Sequence, residues 1–493
     1  MNKKIVAIDQ GTSSTRAVLY DDNFHFLSSV QEEFSQFYPE DGWVEHDPED
    51  ILNSVYSVTK KLFFESGINP ADVASIGITN QRETTIVWDR LTGKAIYPAI
   101  VWQDRRTTSF CEELRSLGLE KEIQSKTGLL IDPYFSASKI SWILDNVVGA
   151  RRKAENGDLA FGTVDSFLLW HLSSGKVHKT DVTNASRTML FNLMENKWDS
   201  DLLKLFNIPD NMLPLVCDNV DDFTDTDLFG GSINIGGVAG DQQAALIGQC
   251  CFKTGEAKST FGTGCFVLVN TGDEMLLSKN KLISTIAYRI KGKTIFGLEG
   301  SVFVAGSAVQ WLRDNLNFFS NSGETEELIK SAASSSNVVV VPAFTGLGAP
   351  YWDADARGAI YGLTRDSGIP EITLATLESI VFQAKSLLDA MKKDGANFCE
   401  LKIDGGMVAN SWFNQELSNC LGIDVKRPKN IETTSLGAAY LAGLNAGICS
   451  DLNSLTHFWS SDQDFEPLAS GANNSLRKYK LWRKAVERTK GKF

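Results

Sequence analysis

Cysteine and histidine are scarce in this chain of 493 residues, and long apolar runs are missing. The eight cysteines are irregularly spaced and form no CxxC pair, which argues against a zinc site or a disulfide framework and predicts reduced thiols. No stretch reaches the about 18 consecutive apolar residues of a transmembrane helix, so no membrane insertion is predicted. Met1, Asn2 and two lysines lead directly into a short apolar strand and not into a signal peptide, which predicts a cytoplasmic protein.

Positive charge is also in short supply. The formal net charge is -13 and no Lys/Arg run offsets it, so nucleic acid and anionic membranes are not expected as partners. Hydrophobic residues make up 43% of the chain and charged residues 22%, which is typical of a folded globular protein. The chain exceeds the size at which a single core keeps growing, so we expect two large or three smaller domains with a cleft between them.

The chain opens with a strand–turn–strand pattern. Residues 5–16 read Ile-Val-Ala-Ile-Asp-Gln-Gly-Thr-Ser-Ser-Thr-Arg, so an apolar strand delivers Asp9, turns at Gly11 among hydroxyl side chains and resumes as a second strand. A carboxylate suits a phosphate-bound Mg2+, and glycine lets backbone amides approach an anion closely. The pattern suits a phosphate-binding hairpin, but taken alone it is more often ordinary hairpin turn chemistry.

The second half of the chain repeats this pattern. Residues 258–270 read Lys-Ser-Thr-Phe-Gly-Thr-Gly-Cys-Phe-Val-Leu-Val-Asn, again a strand, a Gly-Thr turn and a strand. Helical spacing of apolar residues predicts one helix that starts after Asp47 and stops at Gly67, and another over residues 371–391. Strands are predicted over residues 73–79, 85–88, 96–102 and 401–403. Two hairpins of one kind predict an α/β domain used twice, over residues 1–248 and 249–493.

Several motifs together resemble the FGGY carbohydrate kinase family. They are both hairpins, Asn-Gln-Arg-Glu-Thr at 80–84, Val-Trp-Gln-Asp-Arg-Arg at 101–106, Ala-Gly-Asp-Gln-Gln-Ala-Ala at 239–245, Asp-Gly-Gly at 404–406, and the longer stretches 182–190 and 431–440. The resemblance covers nearly the whole chain. It implies a two-domain, actin-like (RNase H-like) ATPase fold of the α/β class with an interdomain cleft, ATP and Mg2+ as cofactors, and a homodimer or homotetramer.

The resemblance also implies a reaction, the ATP-dependent phosphorylation of glycerol to sn-glycerol 3-phosphate in glycerol catabolism, with Asp241 as general base. From the residues alone, an N-cap for the helix that follows is the favoured role of Asp241, and this role is compatible with that of a base. Adjacent Arg82 and Glu83 are more often a solvated ion pair, and aromatic residues are more often core. The polyol-binding residues that the resemblance implies are Arg82, Glu83, Trp102, Tyr134, Asp241, Gln242 and Phe266.

For the nucleotide, the resemblance implies two groups of contacts, with Asp9 acting on Mg2+ mainly through water. The phosphate-binding residues are Thr12, Ser13, Ser14 and Arg16 of the first hairpin and Gly262 and Thr263 of the second. The residues near adenosine are Gly306, Gln310, Gly406 and Asn410. Without the resemblance, Gly405-Gly406 would be an ordinary turn.

Two other functions stay open at this point. One is a kinase for another polyol or a ketose, although Arg82-Glu83 with Trp102 suits a small triol. The other is an actin-like ATP-binding module that transfers no phosphate to a polyol. Such a module needs no acceptor pocket, so the joint presence of Arg82, Glu83, Tyr134 and Asp241 favours the kinase.

Overall fold

The computed structural model describes residues 3–333, 336–353 and 355–491; Met1, Asn2 and the last two residues of the predicted second domain lie outside the described residues. The strands are β1 Lys4–Gln10, β2 Ser14–Tyr20, β3 Phe26–Glu33, β4 Glu45–His46, β5 Val73–Asn80, β6 Ile86–Asp89, β7 Ala99–Ile100, β8 Leu159–Gly162, β9 Lys179–Asp181, β10 Phe191–Asn192, β11 Lys197–Trp198, β12 Leu215–Cys217, β13 Val220–Thr226, β14 Ile233–Gly240, β15 Ala257–Phe261, β16 Cys265–Gly272, β17 Ile283–Ile290, β18 Lys293–Val302, β19 Val339–Val341, β20 Ala359–Tyr361, β21 Glu400–Asp404, β22 Asp424–Pro428 and β23 Ser461–Phe465.

Helices cover the sheets and fill the connections. They are α1 Pro48–Ser66, α2 Thr108–Ser116, α3 Glu120–Thr127, α4 Ser136–Asn146, α5 Ala150–Glu155, α6 Val164–Leu172, α7 Val182–Ala185, α8 Ser200–Leu205, α9 Asp241–Gly248, α10 Gly306–Asp314, α11 Thr325–Leu328, α12 Ile369–Lys393, α13 Ser411–Leu421, α14 Thr433–Asn445, α15 Leu452–Leu455 and α16 Ala469–Thr489. Among the described residues, none of these helices is long and apolar enough to cross a membrane.

Two large mixed sheets share one plan. The first has strand order β13-β14-β5-β1-β2-β3, and the second has order β17-β18-β16-β15-β21-β22-β23. In each, an antiparallel hairpin (β1–β2 or β15–β16) is extended by an antiparallel strand on one side and by parallel strands on the other. Both predicted hairpins are confirmed, and the common strand order agrees with the repeat inferred from the sequence.

The two long helices follow from local sequence signals. The Asp47 side chain accepts the backbone N–H of Glu49, and Gly67 ends α1 with φ 64°, a left-handed conformation that glycine adopts without strain. Helix α12 extends the predicted 371–391 by about half a turn at each end. The apolar stripes of both helices lie in the cores of their respective halves.

Two sequence predictions need correction. The strand predicted over 96–102 is reduced to β7, Ala99–Ile100, because Pro98 has no N–H to donate to a neighbouring strand. The helix after Gly240 begins at Asp241, so Gly240 is the N-cap and Asp241 is the first helical residue.

The two halves of the chain are packed through helix α14. This helix comes from the second half, yet it packs on α9 and on strands β14, β5 and β1 of the first sheet. A single apolar cluster joins Ile5, Val18 and Ala239 of the first half to Leu436 and Leu441 of α14. The first sheet therefore depends on the second half of the chain for the cover on one of its faces.

Candidate active site

Asp241 lies where β14 ends and α9 begins. Its carboxylate accepts the backbone N–H of Gln242 at 2.7 Å, and Arg82 Nε lies 3.1 Å from Asp241 Oδ1. The Asp241 side chain is 32% exposed, whereas that of Arg82 is 2% exposed. The positive end of the helix dipole and the guanidinium both lie against this carboxylate. Asp241 is therefore held in place and still open to solvent, which a proton acceptor in a cleft requires.

Arg82 and Glu83 are both buried, so their interpretation as a solvated surface ion pair is wrong. Arg82 Nε is 4.0 Å from Glu83 Oε1, but its main partner is Glu299, with Nη1–Oε2 at 2.5 Å and Nη2–Oε1 at 3.0 Å. Glu83 instead accepts a hydrogen bond from Arg187 Nε at 2.5 Å. Each residue is thus held by a partner remote in sequence and not mainly by its neighbour.

Arg187 completes a buried chain of alternating charge. Its Nη2 donates to Glu299 Oε1 at 3.0 Å, so Glu83, Arg187, Glu299 and Arg82 follow one another in hydrogen-bond contact, and Asp241 joins them through its ion pair with Arg82. Burial alone would raise the pKa of Glu299, but the two arginines lower it to about 2. Burial by itself would lower the pKa of each arginine, but the surrounding carboxylates outweigh burial and raise both pKa values. Both arginines therefore stay charged. The paired charges compensate each other in a region that excludes water.

The aromatic side chains of the predicted polyol-binding set lie together. The Trp102 ring meets the Tyr134 ring edge to face at 5.6 Å between centroids, and the Phe266 ring at 6.4 Å. Trp102 Nε1 donates to Thr12 Oγ1 at 2.9 Å, which ties this wall to the first hairpin. The buried Lys139 Nζ donates to the Tyr134 backbone carbonyl at 2.7 Å. The structure therefore brings together three predicted polyol-binding residues, Trp102 and Tyr134 from the first half of the chain and Phe266 from the second.

The turn of the second hairpin is braced by the start of α10. The backbone N–H of Gly306 donates to the Gly262 carbonyl at 2.9 Å, and that of Ala305 donates to the Thr263 carbonyl at the same distance. A Cβ at Gly306 would lie 2.6 Å from the Gly262 oxygen, so only glycine permits this approach. A Cβ at Gly262 would meet nothing within 4 Å, so this turn borders open space that an anion can enter.

The first hairpin carries an acidic centre. Asp9 lies opposite Arg16 in the β1–β2 pairing, and Arg16 Nη1 forms an ion pair with Glu432 Oε2 at 2.5 Å. Burial, then Asp241 and then Glu432 raise the pKa of Asp9 from 3.8 to about 7. Arg16 is thus partly neutralised by Glu432, which sequence reasoning did not include among the site residues. A cation at Asp9 would relieve the repulsion among these carboxylates.

Direct metal coordination is a separate question. Across residues 3–333, 336–353 and 355–491, no group of three or more His, Cys, Asp or Glu is arranged to hold a metal ion. Asp9 therefore fits a phosphate-bound Mg2+ reached through water, because Mg2+ usually keeps several waters and takes few carboxylate ligands in nucleotide sites.

The predicted adenosine residues lie around two helix starts. Gly306 opens α10 and Gln310 is exposed one turn later. Asn410 is the N-cap of α13: its Oδ1 accepts the Phe413 N–H at 2.8 Å, and its Nδ2 donates to Thr325 Oγ1 at 3.2 Å. Its side chain is therefore already engaged. A Cβ at Gly406 would meet nothing within 4 Å, so this glycine borders open space as Gly262 does.

Sequence reasoning missed four charged residues beside the predicted ones. Arg187 and Glu432 lie inside the stretches 182–190 and 431–440, which carry the family resemblance. The resemblance did not place either residue in the site. Glu299 lies in the run Ile-Phe-Gly-Leu-Glu-Gly of strand β18, which is otherwise apolar and glycine, and a charged residue there is a usable signal, because buried carboxylates are rare without a partner. Lys258, on β15, is equally buried.

The fold and the site define a class of protein, a two-domain kinase of the actin-like (RNase H-like) ATPase fold. The model of the FGGY family of carbohydrate kinases, N-terminal domain, matches residues 4–248, and that of the C-terminal domain matches residues 257–446. The chain belongs to the FGGY family of carbohydrate kinases. The predicted family, fold class and enzyme class are thereby confirmed.

Individual relatives agree with this assignment. The chain is 54% identical over 493 residues to the glycerol kinase of Marinomonas sp. (strain MWYL1), covering 99% of each chain. It is 53% identical over 494 residues to that of Rhizobium meliloti (strain 1021), again covering 99% of each. The crystal structure of Plasmodium falciparum glycerol kinase with ADP matches with a TM-score of 0.91 at 37% identity, covering 100% of this chain and 99% of that one. A ligand-bound xylulose kinase from Lactobacillus acidophilus, at 22% identity and TM-score 0.89, shares the fold.

Proposed function

We propose that this carbohydrate kinase transfers the γ-phosphoryl group of ATP to a terminal hydroxyl of glycerol, giving sn-glycerol 3-phosphate and ADP, with Asp241 as general base. One observation carries the proposal: the Asp241 carboxylate, which contacts Arg82 and a helix N-terminus, is joined through Arg82, Glu299 and Arg187 to Glu83 of the predicted polyol set. The glycerol kinases at 52–54% identity over nearly the whole chain support glycerol as the acceptor.

The chain's own residues account for the steps of the reaction. Asp241 accepts the proton of the attacking hydroxyl as the oxygen approaches the γ-phosphorus in line. Arg82 orients that carboxylate, and Glu83 and Gln242 hydrogen-bond the remaining hydroxyls. Trp102 and Phe266 cover the C–H edge of the triol and exclude water, which would otherwise accept the phosphoryl group.

The nucleotide lies between the two hairpins in this proposal. The hydroxyls of the first hairpin and the Gly262-Thr263 turn of the second approach the phosphates from opposite sides, where negative charge is concentrated. A bound Mg2+ would neutralise phosphate charge, and Asp9 would hold it through water. Gly306, Gln310, Gly406 and Asn410 border the adenosine.

Two further parts of the proposal concern the assembly of the protein and its location. A homodimer or homotetramer and a cytoplasmic location both stay predictions. Sedimentation velocity of the purified chain decides the first of these, since a monomer at assay concentration would contradict it.

Glycerol-dependent ADP release tests the reaction. The wild-type chain should release ADP with glycerol present, and Asp241→Asn should lower kcat by about 100-fold or more, because the amide cannot accept the proton. The control is Asp201→Asn, which changes an aspartate in the first turn of α8, away from the site. Near-normal turnover of Asp241→Asn would remove Asp241 from the role of base.

A substrate panel separates the proposal from its alternatives. Glycerol, dihydroxyacetone, erythritol and xylulose are compared at equal concentration, and glycerol should give the highest kcat/KM. Rejection of glycerol in favour of another acceptor would assign the chain to that acceptor. ATP turnover that no polyol accelerates would support an ATP-binding module without an acceptor.

A further inference from the structure

Two buried charges of opposite sign lie in one row of the second sheet. Lys258 of β15 is in register with Leu268 of β16, and Leu268 is in register with Glu299 of β18. Residues directly opposite one another project from the same face of a sheet, and the two outer strands of three are about 10 Å apart. Lys258 and Glu299 are both fully buried. They therefore project side by side from one face, with an apolar residue between them.

This face of the second sheet is directed at the first half of the chain. Leu268 packs in the apolar cluster that includes Ala244 and Leu246 of α9, the helix that begins at Asp241. The two charges on either side of Leu268 consequently meet the residues around the start of α9. Each of them contacts a residue of the proposed polyol site.

Glu299 contacts Arg82 through both carboxylate oxygens. The Nη1–Oε2 distance is 2.5 Å and the Nη2–Oε1 distance is 3.0 Å, a two-point contact that fixes the plane of the guanidinium. With both Nη atoms engaged, Arg82 Nε lies 3.1 Å from Asp241 Oδ1 and forms an ion pair with it. The position of the Arg82 guanidinium beside the proposed base is thus set from the second sheet.

Lys258 contacts Gln242 in a comparable way. Its Nζ donates to Gln242 Oε1 and, at 2.9 Å, to Thr260 Oγ1. An ammonium group can only donate, so the Gln242 amide must turn its oxygen towards Lys258 and keep its NH2 group for another acceptor. A substrate hydroxyl is such an acceptor. Burial lowers the pKa of Lys258, and Asp404, then Asp241 and then Glu299 oppose that shift.

We propose that Lys258 and Glu299 are positioning residues, which orient Gln242 and Arg82 of the polyol site from the opposite half of the chain. Neither reaches the substrate itself. The acceptor site is therefore complete only when the two halves are packed as they are here. The inference rests on the proposed function, because it assigns Gln242 and Arg82 to the acceptor site.

Two variants test this by steady-state kinetics on the full-length chain. Glu299→Gln should raise the glycerol KM and lower kcat, each by about 10- to 100-fold, because Arg82 loses its fixed direction towards both substrate and base. Lys258→Met should raise the glycerol KM by about tenfold and change kcat by less than about threefold, because Gln242 serves binding only. In both variants the ATP KM should stay within about twofold of the wild type.

The controls are buried charges of the same half that contact no residue of the proposed polyol site. Glu378→Gln breaks the buried ion pair of Glu378 Oε1 with Lys478 Nζ at 2.5 Å. Lys402→Met removes the neighbour of Lys258 in the same row, whose Nζ donates to the Gln249 carbonyl at 2.9 Å. Both are expected to lower thermal stability and to leave the glycerol KM within about twofold of the wild type.

The outcomes separate this inference from the proposed function. A wild-type chain without glycerol-dependent ADP release refutes the proposed function, and the inference with it. An active wild type refutes the inference alone if Glu299→Gln and Lys258→Met behave like the controls, or if the KM values for glycerol and ATP rise together. If Glu299→Gln does not fold, the kinetics of Lys258→Met decide.

Discussion

The surroundings of Asp9 in the folded chain disfavour its ionised carboxylate. Burial is the main cause, and repulsion from Asp241 and Glu432 adds to it, so that its pKa rises from 3.8 to about 7. Between these two values the folded chain binds a proton at Asp9 that the unfolded chain has released. The free energy of unfolding therefore falls as the pH rises through this window, and the loss is complete above about pH 7. An acidic residue is retained here at a cost in stability, as is common at functional sites.

Replacing Asp9 with asparagine should remove this loss. The Tm of the variant minus the Tm of the wild type should increase by about 2 °C or more when the pH is raised from 5 to 8. Scanning fluorimetry measures both Tm values. MgATP at pH 8 should raise the Tm of the wild type more than that of Asp9→Asn, because the proposed cation needs the carboxylate.

An exposed aspartate provides the control. Asp227→Asn should follow the wild type at every pH, since this residue lies in an open turn on the surface. A Tm difference between Asp9→Asn and the wild type that is the same at pH 5 and pH 8 would contradict the assignment of this loss to Asp9.

The residues of the polyol site could be predicted from the sequence only in part. Arg82 and Glu83 were identified through their motif, but by themselves they indicated an exposed ion pair. Their actual partners, Glu299 and Arg187, are separated from them by 217 and 104 residues. No local sequence pattern can indicate these long-range ion pairs, because they form only when the second sheet packs against the first half.

Elements with local signals were predicted well. The hairpins alternate apolar strands with a glycine turn, and α1 and α12 carry apolar stripes, so short-range spacing defines them. Helix α14 is different, since almost every residue in it is buried and no stripe indicates which side faces which partner. Its position between the two halves could not be predicted from spacing alone.

The contact of α14 with α9 depends on glycine. A Cβ at Gly437 would lie 1.8 Å from the Ala244 carbonyl oxygen, and a Cβ at Gly248 would lie 2.0 Å from the Thr433 oxygen. Backbone atoms of α9 and α14 therefore meet directly, without intervening side chains. A backbone oxygen in a packed helix cannot move aside as a flexible side chain can, so any Cβ there must separate the helices.

Gly437→Ala should consequently destabilise the fold by about 3 kcal/mol, at the upper end of what overpacking costs, even though alanine favours helix formation. Chemical denaturation with fluorescence detection measures the change. The matched control is Gly368→Ala, where the added Cβ would meet only ordinary contacts of 3.5 Å and 3.7 Å. Equal stability of the two variants would mean that α9 and α14 are not packed this closely.

At the scale of the whole molecule, the predicted domains over 1–248 and 249–493 remain a prediction that the packing qualifies. The boundary falls at the end of α9, and the family models meet in the same region. Yet the first sheet is covered on one face by α14, which comes from the second half. A Cβ at Gly77 of β5 would lie 2.0 Å from the Ala438 oxygen, so this sheet is shaped to fit that helix.

A fragment of residues 1–248 should therefore not fold cooperatively by itself. Without α14, the apolar face that includes Ile5, Val18 and Ala239 is left open to water, and each large apolar side chain exposed there costs about 1.5–3 kcal/mol. The fragment should bind a hydrophobic dye and show no sharp thermal transition.

The same fragment joined by a flexible linker to residues 430–449 should regain a cooperative transition, because α14 restores the cover. The linked fragment with Gly437→Ala should regain less, since the added methyl group keeps the helix from docking. A cooperative transition of 1–248 alone, as sharp as that of the full chain, would show instead that the first half is an independent domain and that α14 only joins the two halves.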